Sequence, residues 1–539
     1  MLSVQDLYQL RHDFRDQRKH HYLQEASLIA SQSSSTALFN IAGMQQLIPY
    51  LSGQDHPLGD KLYNIQACVR INDLEEIGDD SHFTSFFMMG NRSLGDYFKQ
   101  EAVWRSWDFL TQVLKLDPRK LAVTVYAGDQ EISADDETAH YRASLWVPQD
   151  KISYLDASDN WRSPGPVGPC GPCTEIYYRV GSWEFPDTSH NVKENEDNRL
   201  EIRNNVFMEY YRDETWHLSK LQQQNVDTGM GFERLVKVLQ ESPSPYETEL
   251  FQPMIDILEQ ALSLSYTDHT RSFRVILDHL RTCGFLISEG LTPSNEWRWY
   301  VLRKLLRAMY FERKSLSTTN QDFITLDQIV VKLIVQLQES YSILFPSLKQ
   351  YTAAQITAII IKEAKQFDKT LTNGQHILLG HIEELRTSST TILSGEKAFK
   401  LYDTFGFPFE LTQYIAKQHH ISIDQDGFLK AFEQAKEQSR ANTSSNKSKK
   451  IDRSVHTSDL EPTSFVGYDT ISSESQLLKT IELENTKVLI FDKTPFYATR
   501  GGQIHDIGTI HVDDIEYEVV DVQDYNGIYL HFVKDSTRT

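Results

Sequence analysis

The ten residues from Asn225 to Arg234, with the sequence NVDTGMGFER, carry side chains that suit an ammonium group and a polyphosphate. Asp227 lies two residues before a Gly-x-Gly pair, Gly229 and Gly231, and Arg234 lies three residues after it. Glycines allow a tight turn and a close approach to a ligand. An arginine in the first turn of the following helix suits phosphate groups. A plain turn before a helix produces the same pattern, so this stretch alone leaves both interpretations open.

A predicted β-hairpin near the N-terminus could bring a second arginine to the same ligand. Residues 62–70 have the pattern of a strand ending at Arg70, and a polar, acidic loop follows over residues 72–80. The second strand pattern begins near His82 and includes Phe86. An arginine and aromatic rings on neighbouring strands could contact a phosphate and a flat ring, respectively. The alternative is an ordinary amphipathic hairpin with one surface arginine.

The segment GPCGPCTEIYY, residues 168–178, contains a C-x-x-C pair of the kind found in zinc sites. The chain has no second C-x-x-C and no H-x-x-x-H to complete four zinc ligands. The prolines and glycines predict instead a rigid turn beneath a pocket, with Glu175 entering a strand. Residues 201–211 predict a further strand that carries Asn204.

The composition is that of a soluble globular protein, with 40% hydrophobic and 24% charged residues among 539. This length allows about two to four domains. No apolar run approaches a membrane span, and the N-terminus does not resemble a signal peptide. Four cysteines are too few for a disulfide framework, so we expect a reducing, cytoplasmic setting. The net charge of −21 argues against non-specific coating of polyanions, although local basic faces could still bind nucleic acid.

From about residue 245 onward, apolar residues recur at helical spacing. One predicted helix has an apolar face that contains Leu302, Leu305, Leu306 and Met309. Its opposite face is basic and contains Arg303, Lys304 and Arg307. This basic face could contact an RNA backbone, and a solvated helix face explains it equally well.

The rest of the chain predicts long helices, a linker and a small β domain. The helices are predicted over residues 323–344, 351–371 and 376–386. Residues 438–453 are polar and poor in apolar side chains, as in a linker. Short strand patterns follow over residues 488–491, 517–522 and 528–532.

The order of these motifs resembles that of the bacterial alanyl-tRNA synthetases over essentially the whole chain. It runs from the arginine-bearing hairpin through GPCGPCTE, NNVFMEYY and VDTGMGFER to PSNEWRWYVLRK and LYDTFGFP. The resemblance implies an α+β fold in which a class II synthetase antiparallel sheet, flanked by helices, carries catalysis. A helical domain that recognises the tRNA acceptor stem and a small partial β-barrel should follow. The implied boundaries are 1–242 for the catalytic domain, 243–437 for the helical domain, 438–462 for the linker and 463–539 for the barrel.

The resemblance also implies roles in the activation of alanine by ATP. Arg70 would hold the ATP α-phosphate and the alanine carboxylate, Arg234 the γ-phosphate, and Asp227 the alanine ammonium group. The ATP site would further include His82, Phe86, Gly229 and Gly231. The alanine pocket would include Trp161, Asn204 and Val206. Attack of a carboxylate on the α-phosphate needs positioning and charge neutralisation, so arginines and the Mg²⁺ that accompanies ATP should dominate.

The remaining implied contacts concern tRNA. Asn295 and Asp403 resemble the pair that reads the G·U base pair of the alanine tRNA acceptor stem. The basic residues expected beside them are Arg298, Arg303, Lys304 and Arg307. The expected ligands are therefore ATP, Mg²⁺, alanine and tRNA(Ala), with no zinc and no membrane, and we expect a monomer.

Several positions depart from the family pattern. Ser81 replaces an arginine, Phe87 a glutamate, Trp299 a glycine and Arg203 a tryptophan, and residues 499–503 are TRGGQ instead of ESGGQ. The zinc-binding motifs of the family's editing domain are absent.

These observations predict an alanine–tRNA ligase that works without post-transfer editing. A degenerate RNA-binding or regulatory relative is one alternative. The other is an amide ligase that activates an amino acid for an acceptor other than tRNA.

Overall fold

A computed structural model describes most of the chain, in two compact units, Met1–Lys369 and Thr370–Thr539. None of the helices it describes combines the length and apolar composition needed to cross a membrane. The predicted linker 438–462, Asn295 and residues 499–503 lie outside the described residues. The described residues are 2–30, 38–72, 74–163, 165, 167–180, 192, 199–294, 297–316, 323–387, 390–435, 463–467, 470, 472–483, 486–496, 506, 508–513, 515–525 and 528–535.

The first unit is built on a nine-stranded sheet with the order β1-β2-β3-β9-β8-β7-β4-β5, in which β6 pairs with β7. The central pairs from β2 to β4 are antiparallel, whereas the two outer pairs, β1 with β2 and β4 with β5, are parallel. The strands are β1 His21–Tyr22, β2 Lys61–Val69, β3 Ser85–Leu94, β4 Leu121–Tyr126, β5 Ile152–Leu155, β6 Trp161–Arg162, β7 Gly168–Arg179, β8 Arg199–Arg212 and β9 Leu218–Gly231.

Helices flank this sheet, and further helices follow it along the chain. The first one begins with a capping box, in which Ser3 Oγ accepts the Asp6 N–H at 3.0 Å. The helices of the first unit are α1 Val4–Asp16, α2 Ile48–Leu51, α3 Lys99–Asp108, α4 Asp136–Ser144, α5 Ala157–Asn160, α6 Phe232–Leu239, α7 Gln252–Leu262, α8 Thr270–Ser288, α9 Trp297–Leu316 and α10 Phe323–Tyr341. The next helix, α11 Ala353–Thr387, runs past the boundary between the two units.

The second unit contains short helices and a five-stranded antiparallel sheet with the order β13-β14-β18-β17-β16. Alternate residues of the sheet, among them Leu489, Val519 and Val533, pack into one core cluster. Its elements are β10 Ile392–Leu393, α12 Gly395–Asp403, α13 Phe409–Gln418, β11 Ser422–Ile423, β12 Ser464–Phe465, β13 Leu477–Leu483, β14 Thr486–Phe491, β15 Lys493–Thr494, β16 Gly508–Val512, β17 Ile515–Tyr525 and β18 Ile528–Asp535.

The α+β fold class is confirmed, and three local predictions are corrected. The C-x-x-C segment is not a turn: it lies in strand β7, where the register shifts between Cys170 and Cys173. Such an irregularity accommodates prolines, which cannot donate to a sheet ladder. The helices predicted over 351–371 and 376–386 form one helix, α11. Gly374 does not interrupt it, and a side chain there would collide with the Phe407 ring.

The third correction concerns the Gly-x-Gly pair. Gly229 and Gly231 lie in strand β9, and Gly229 pairs with Gly90 on one side and Asn204 on the other. The helix begins only at Phe232, so Arg234 is in its first turn, as predicted. The glycines therefore do not form a tight turn. Their lack of side chains leaves room for neighbouring groups, since a Cβ at Gly229 would lie 3.2 Å from Met88 Sδ.

Candidate active site

A cavity of about 720 Å³ lies against the sheet of the first unit. Residues from β3, β8, β9 and α6 line it, together with the segments that flank β2. Nine of the predicted site residues meet there: Arg70, His82, Phe86, Asn204, Val206, Asp227, Gly229, Gly231 and Arg234. The structure thus brings together residues that are up to 164 positions apart in the chain.

Strand register explains why these side chains share one face. Asn204 pairs with Gly229, and Val206 pairs with Asp227. Side chains alternate between the two faces of a strand, so residues two positions apart point the same way. The pairing therefore places Asn204, Val206 and Asp227 beside one another on the cavity face.

The two predicted phosphate-binding arginines lie within this lining. Arg70 is exposed, and its guanidinium lies 4.8 Å from the centroid of the Phe86 ring. Its Nε donates to the carbonyl of Ile41 at 3.3 Å. Arg234 is half-buried, and its Nη1 lies 3.1 Å from the carbonyl oxygen and 3.3 Å from the carboxylate Oε2 of Glu201. Each guanidinium has five N–H donors, so most of them stay available for phosphate oxygens.

The acid of the cavity is held by an arginine that the sequence analysis missed. Arg92 Nε donates to Asp227 Oδ1 at 2.7 Å, and both side chains are buried. Arg92 also donates to Asn64 Oδ1. Burial raises the pKa of Asp227, and the Arg92 charge opposes that shift. One sequence feature could have indicated Arg92, because it is a lone arginine inside the apolar strand pattern SFFMMGNRSL. In the structure this position pairs with Asp227.

Glu175, which pairs with Asn204 on the neighbouring strand β7, orients the Asn204 side chain. Asn204 Nδ2 donates to Glu175 Oε1 at 2.9 Å, and Arg162 Nη2 donates to the same oxygen at 2.6 Å. Tyr177 donates to Glu175 Oε2 at 2.7 Å. This arrangement leaves Asn204 Oδ1 as an acceptor that has no partner among the described residues. Glu175 was predicted as a strand residue but not as part of the site.

Glu175 should make stability depend on pH. Burial, followed by the carboxylate of Glu201, raises the pKa of Glu175 from 4.5 to about 7, although Arg162 opposes the shift. Between these values the folded chain keeps a proton that the unfolded chain has lost, so stability falls as pH rises. The full contribution is present below pH 4.5 and is lost through pH 7. At about 1.4 kcal/mol per pH unit, the loss totals about 3 kcal/mol.

Urea unfolding between about pH 5 and pH 7.5 measures this slope. Glu175→Gln should flatten it, because the substituted side chain does not titrate. Glu201→Gln is the matched variant, and it should move the slope to lower pH by removing the repelling charge. An unchanged slope in Glu175→Gln would contradict the assignment.

Trp161 does not line the cavity. Its ring packs against those of Tyr126 and Tyr210, with centroids 5.5 and 5.7 Å away, and its backbone pairs with Pro172. Strand β6 holds it beside β7, so its contacts in the structure are with neighbouring aromatic rings. The predicted role in closing the alanine pocket has no contact in this structure that supports it.

Two of the departures from the family pattern, Ser81 and Phe87, differ in their position relative to the cavity. Ser81 is part of its lining, and Ser81 Oγ donates to Asp79 Oδ2 at 3.1 Å. Phe87 is buried away from the cavity, where its ring lies 5.6 Å from that of Phe285. The backbone N–H of Phe87 donates to Glu233, whose carboxylate pairs with Arg281 at 2.9 Å.

One group of possible metal ligands lies in the loop beside the cavity. Ligand atoms of Glu76, Asp79 and His82 lie within 4.8 Å of one another. Carboxylate oxygens are ligands that Mg²⁺ accepts beside phosphates and water. In this structure both carboxylates contact the His82 ring instead, at 3.2 and 2.6 Å. The group therefore fits an ion pair as well as it fits a metal.

The described residues among those predicted to contact tRNA lie on α9 of the first unit and on α12 of the second unit. Arg303 and Arg307 both contact Glu363 of α11, at 3.3 and 2.8 Å. Arg298 donates to the carbonyl of Ala30 at 3.3 Å, and Lys304 is exposed. Asp403 is exposed at the end of α12, in the second unit.

Comparison with known proteins adds an independent observation. A family model described as "tRNA synthetases class II (A)" matches residues 10–539. The alanine–tRNA ligase of Fusobacterium nucleatum is 36% identical, over 99% of this chain and 61% of its own length. That of Saccharophagus degradans is 36% identical over 95% of this chain and 59% of its own length. That of Cytophaga hutchinsonii is 34% identical over 98% of this chain and 61% of its own length. The chain thus spans about three fifths of the length of these relatives.

Proposed function

Because this chain belongs to the class II (A) tRNA synthetases, we propose that it activates alanine with ATP and transfers it to an alanine tRNA. The observation that carries this proposal is the meeting, in one cavity, of Asp227 and Asn204 with Arg70 and Arg234. The names of the relatives supply the amino acid, alanine. The residues that line the cavity supply the chemistry.

The ammonium group of alanine would bind over the adjacent strands β8 and β9. Asp227 Oδ2 is not the oxygen that accepts from Arg92, and Asn204 Oδ1 has no hydrogen-bond partner among the described residues. Two acceptors on adjacent strands can share one ammonium group, which has three donors. Val206 pairs with Asp227 and is also part of the lining, so it would contact the small alanine side chain.

ATP would bind between Arg70 and Arg234. The adenine ring would lie on Phe86, which already contacts the Arg70 guanidinium. The two arginines would hold the α- and γ-phosphates at either end, and the Mg²⁺ that accompanies ATP would offset part of the phosphate charge. The carboxylate of alanine then attacks the α-phosphorus, and pyrophosphate leaves. Fixed charges lower the barrier because they stabilise the negative charge that develops on the phosphate oxygens.

Alanine-dependent exchange of pyrophosphate into ATP tests the activation step. Exchange by the purified chain, followed by charging of alanine tRNA, would support the full proposal. Absence of exchange would favour a degenerate RNA-binding relative. Exchange without charging would favour an amide ligase with another acceptor. The four cysteines are buried and free, which agrees with our proposal of a reducing, cytoplasmic setting.

Recognition of tRNA should depend on Asp403. A G·U pair exposes a guanine amino group in the minor groove, and a carboxylate can accept from it. We expect Asp403→Ala to lower charging by about 5- to 100-fold, the loss of one hydrogen bond of 1–3 kcal/mol, and to leave pyrophosphate exchange unchanged. Glu396→Ala, an exposed acid on the same helix, is the matched control. An equal loss in both assays would mean that Asp403 supports the fold only.

Fidelity should be low in the 539-residue chain. An alanine pocket cannot exclude glycine sterically, and it rejects serine only weakly, because binding alone discriminates such pairs by about 10–200-fold. We therefore expect mischarging with serine and glycine and no deacylation of Ser-tRNA(Ala). Incubation with preformed Ser-tRNA(Ala) measures this. Deacylation that exceeds the buffer rate and is sensitive to a zinc chelator would contradict the prediction.

A further inference from the structure

A cluster of three buried arginine side chains lies on the face of the sheet opposite the cavity. Arg11 and Arg15 lie one turn apart on α1, and Arg203 lies on β8. Arg11 and Arg15 are 0% exposed, and Arg203 is 1% exposed. Arg203 alternates along β8 with cavity-lining Asn204, so its side chain points away from the cavity.

The contacts of these guanidiniums are few and neutral. Arg11 Nη2 donates to the carbonyl of Gly90 at 2.8 Å. Arg203 donates to Asn205 Oδ1 at 3.1 Å and to Asn91 Oδ1 at 2.9 Å. Gly90 and Asn91 are consecutive in β3, which places Arg11 and Arg203 against the same point of the sheet.

Many donors stay unsatisfied there. Among the described residues, Arg11 Nε and Nη1 are buried without a hydrogen-bond partner, and so are all three side-chain nitrogens of Arg15. Within the described residues, neither arginine has an ion pair with a carboxylate, and Arg203 has none either. Tyr97 lies beside this cluster, where its Oη accepts from Asn91 Nδ2 and contacts His20 Nε2, each at 3.0 Å.

Such a cluster is unfavourable unless something neutralises it. A guanidinium stays protonated in proteins, and burying an ionised group without a partner costs several kcal/mol. Burial, together with the neighbouring arginines, lowers the pKa of Arg11 and of Arg15 well below the ordinary value. A bound anion would offset both effects. Its negative charge would balance the neighbouring arginines, and its hydrogen-bond acceptors would replace the water that burial removes.

We propose that Arg11, Arg15 and Arg203 enclose a small monovalent inorganic anion of the size of chloride inside the first unit. A halide accepts hydrogen bonds from every direction, as donors from a helix and a strand require. The site is closed to solvent, so a small monovalent ion, which loses less hydration energy than a phosphate, is the better occupant. The anion would be a structural component, because it lies behind the sheet that carries the cavity residues.

Thermal unfolding of the full chain tests this site. Chloride is exchanged for gluconate at constant ionic strength, since gluconate is too large to enter. A ligand that binds only the folded state raises the melting temperature by mass action, and at 100-fold its Kd we expect about 2–4 °C. Bromide should act like chloride. A melting temperature that does not depend on the halide would overturn the proposal.

Two variants and a crystal separate a specific site from a general salt effect. Arg15→Met removes the guanidinium that makes no hydrogen bond among the described residues, and it should abolish the dependence of the melting temperature on halide. Arg119→Met removes an arginine whose side chain is 69% exposed, and it should keep the dependence. If Arg15→Met does not fold, Arg203→Met serves instead. Crystals of the unaltered chain grown in bromide should show an anomalous peak among the three guanidiniums, and water alone at that point would overturn the proposal.

Discussion

Replacing Asp227 by asparagine is expected to abolish measurable alanine-dependent pyrophosphate exchange. The substitution removes the negative charge that would pair with the ammonium group in a buried site, where loss of one ionic partner costs about 3–5 kcal/mol. This corresponds to a loss of about 150- to 5,000-fold in kcat/KM for alanine. KM for ATP should change little, since the arginines assigned to the phosphates are untouched.

The same substitution should also destabilise the chain, because Asp227 neutralises Arg92. The two side chains are 2.7 Å apart and buried, so Asp227→Asn leaves the Arg92 charge without its partner. The double variant Arg92→Met/Asp227→Asn is the control. It should regain much of the lost stability in urea unfolding and still lack exchange. Recovery of exchange in the double variant would mean that Asp227 serves only to balance Arg92.

The second large effect is expected for Arg281→Met. Arg281 on α8 is completely buried, and it donates to Glu233 of α6 at 2.9 Å and to the carbonyl of Ser85 in β3. Its guanidinium also lies 4.6 Å from the centroid of the Phe251 ring. Removing it leaves a buried carboxylate unpaired, so we expect the free energy of unfolding at pH 7 to fall by about 3–5 kcal/mol.

Protonation of Glu233 should reduce this loss. Burial raises the pKa of Glu233, and the charge of Arg281 opposes that shift. The variant lacks this positive charge, so the pKa of Glu233 should rise further. The folded variant then holds a proton that the unfolded chain releases, and its deficit should shrink as pH falls from about 7 to 5. The double variant Glu233→Gln/Arg281→Met should lose less stability at pH 7 than Arg281→Met alone. A deficit independent of pH, or a larger loss in the double variant, would contradict the pairing.

The sequence by itself was sufficient for the class of elements and for the motif residues. The strand pattern identified residues 62–70, which the structure has as Lys61–Val69, and helical spacing identified α9. Motif order led to the family, which the family model confirms. These features are local or depend on matching whole motifs, so no knowledge of the tertiary fold was needed.

The faces and partners of the side chains were decided by the tertiary structure alone. Arg92 meets Asp227 although 135 positions separate them, because β3 and β9 pair in that register. A strand shifted by one residue would turn every side chain to the other face. The same reasoning explains Trp161, which matches a motif but is held among aromatic rings by β7. Sequence spacing carries no register between distant strands. The pairing of β9 with β3 and β8 is what places Asp227 toward a ligand and Arg203 toward the buried arginines.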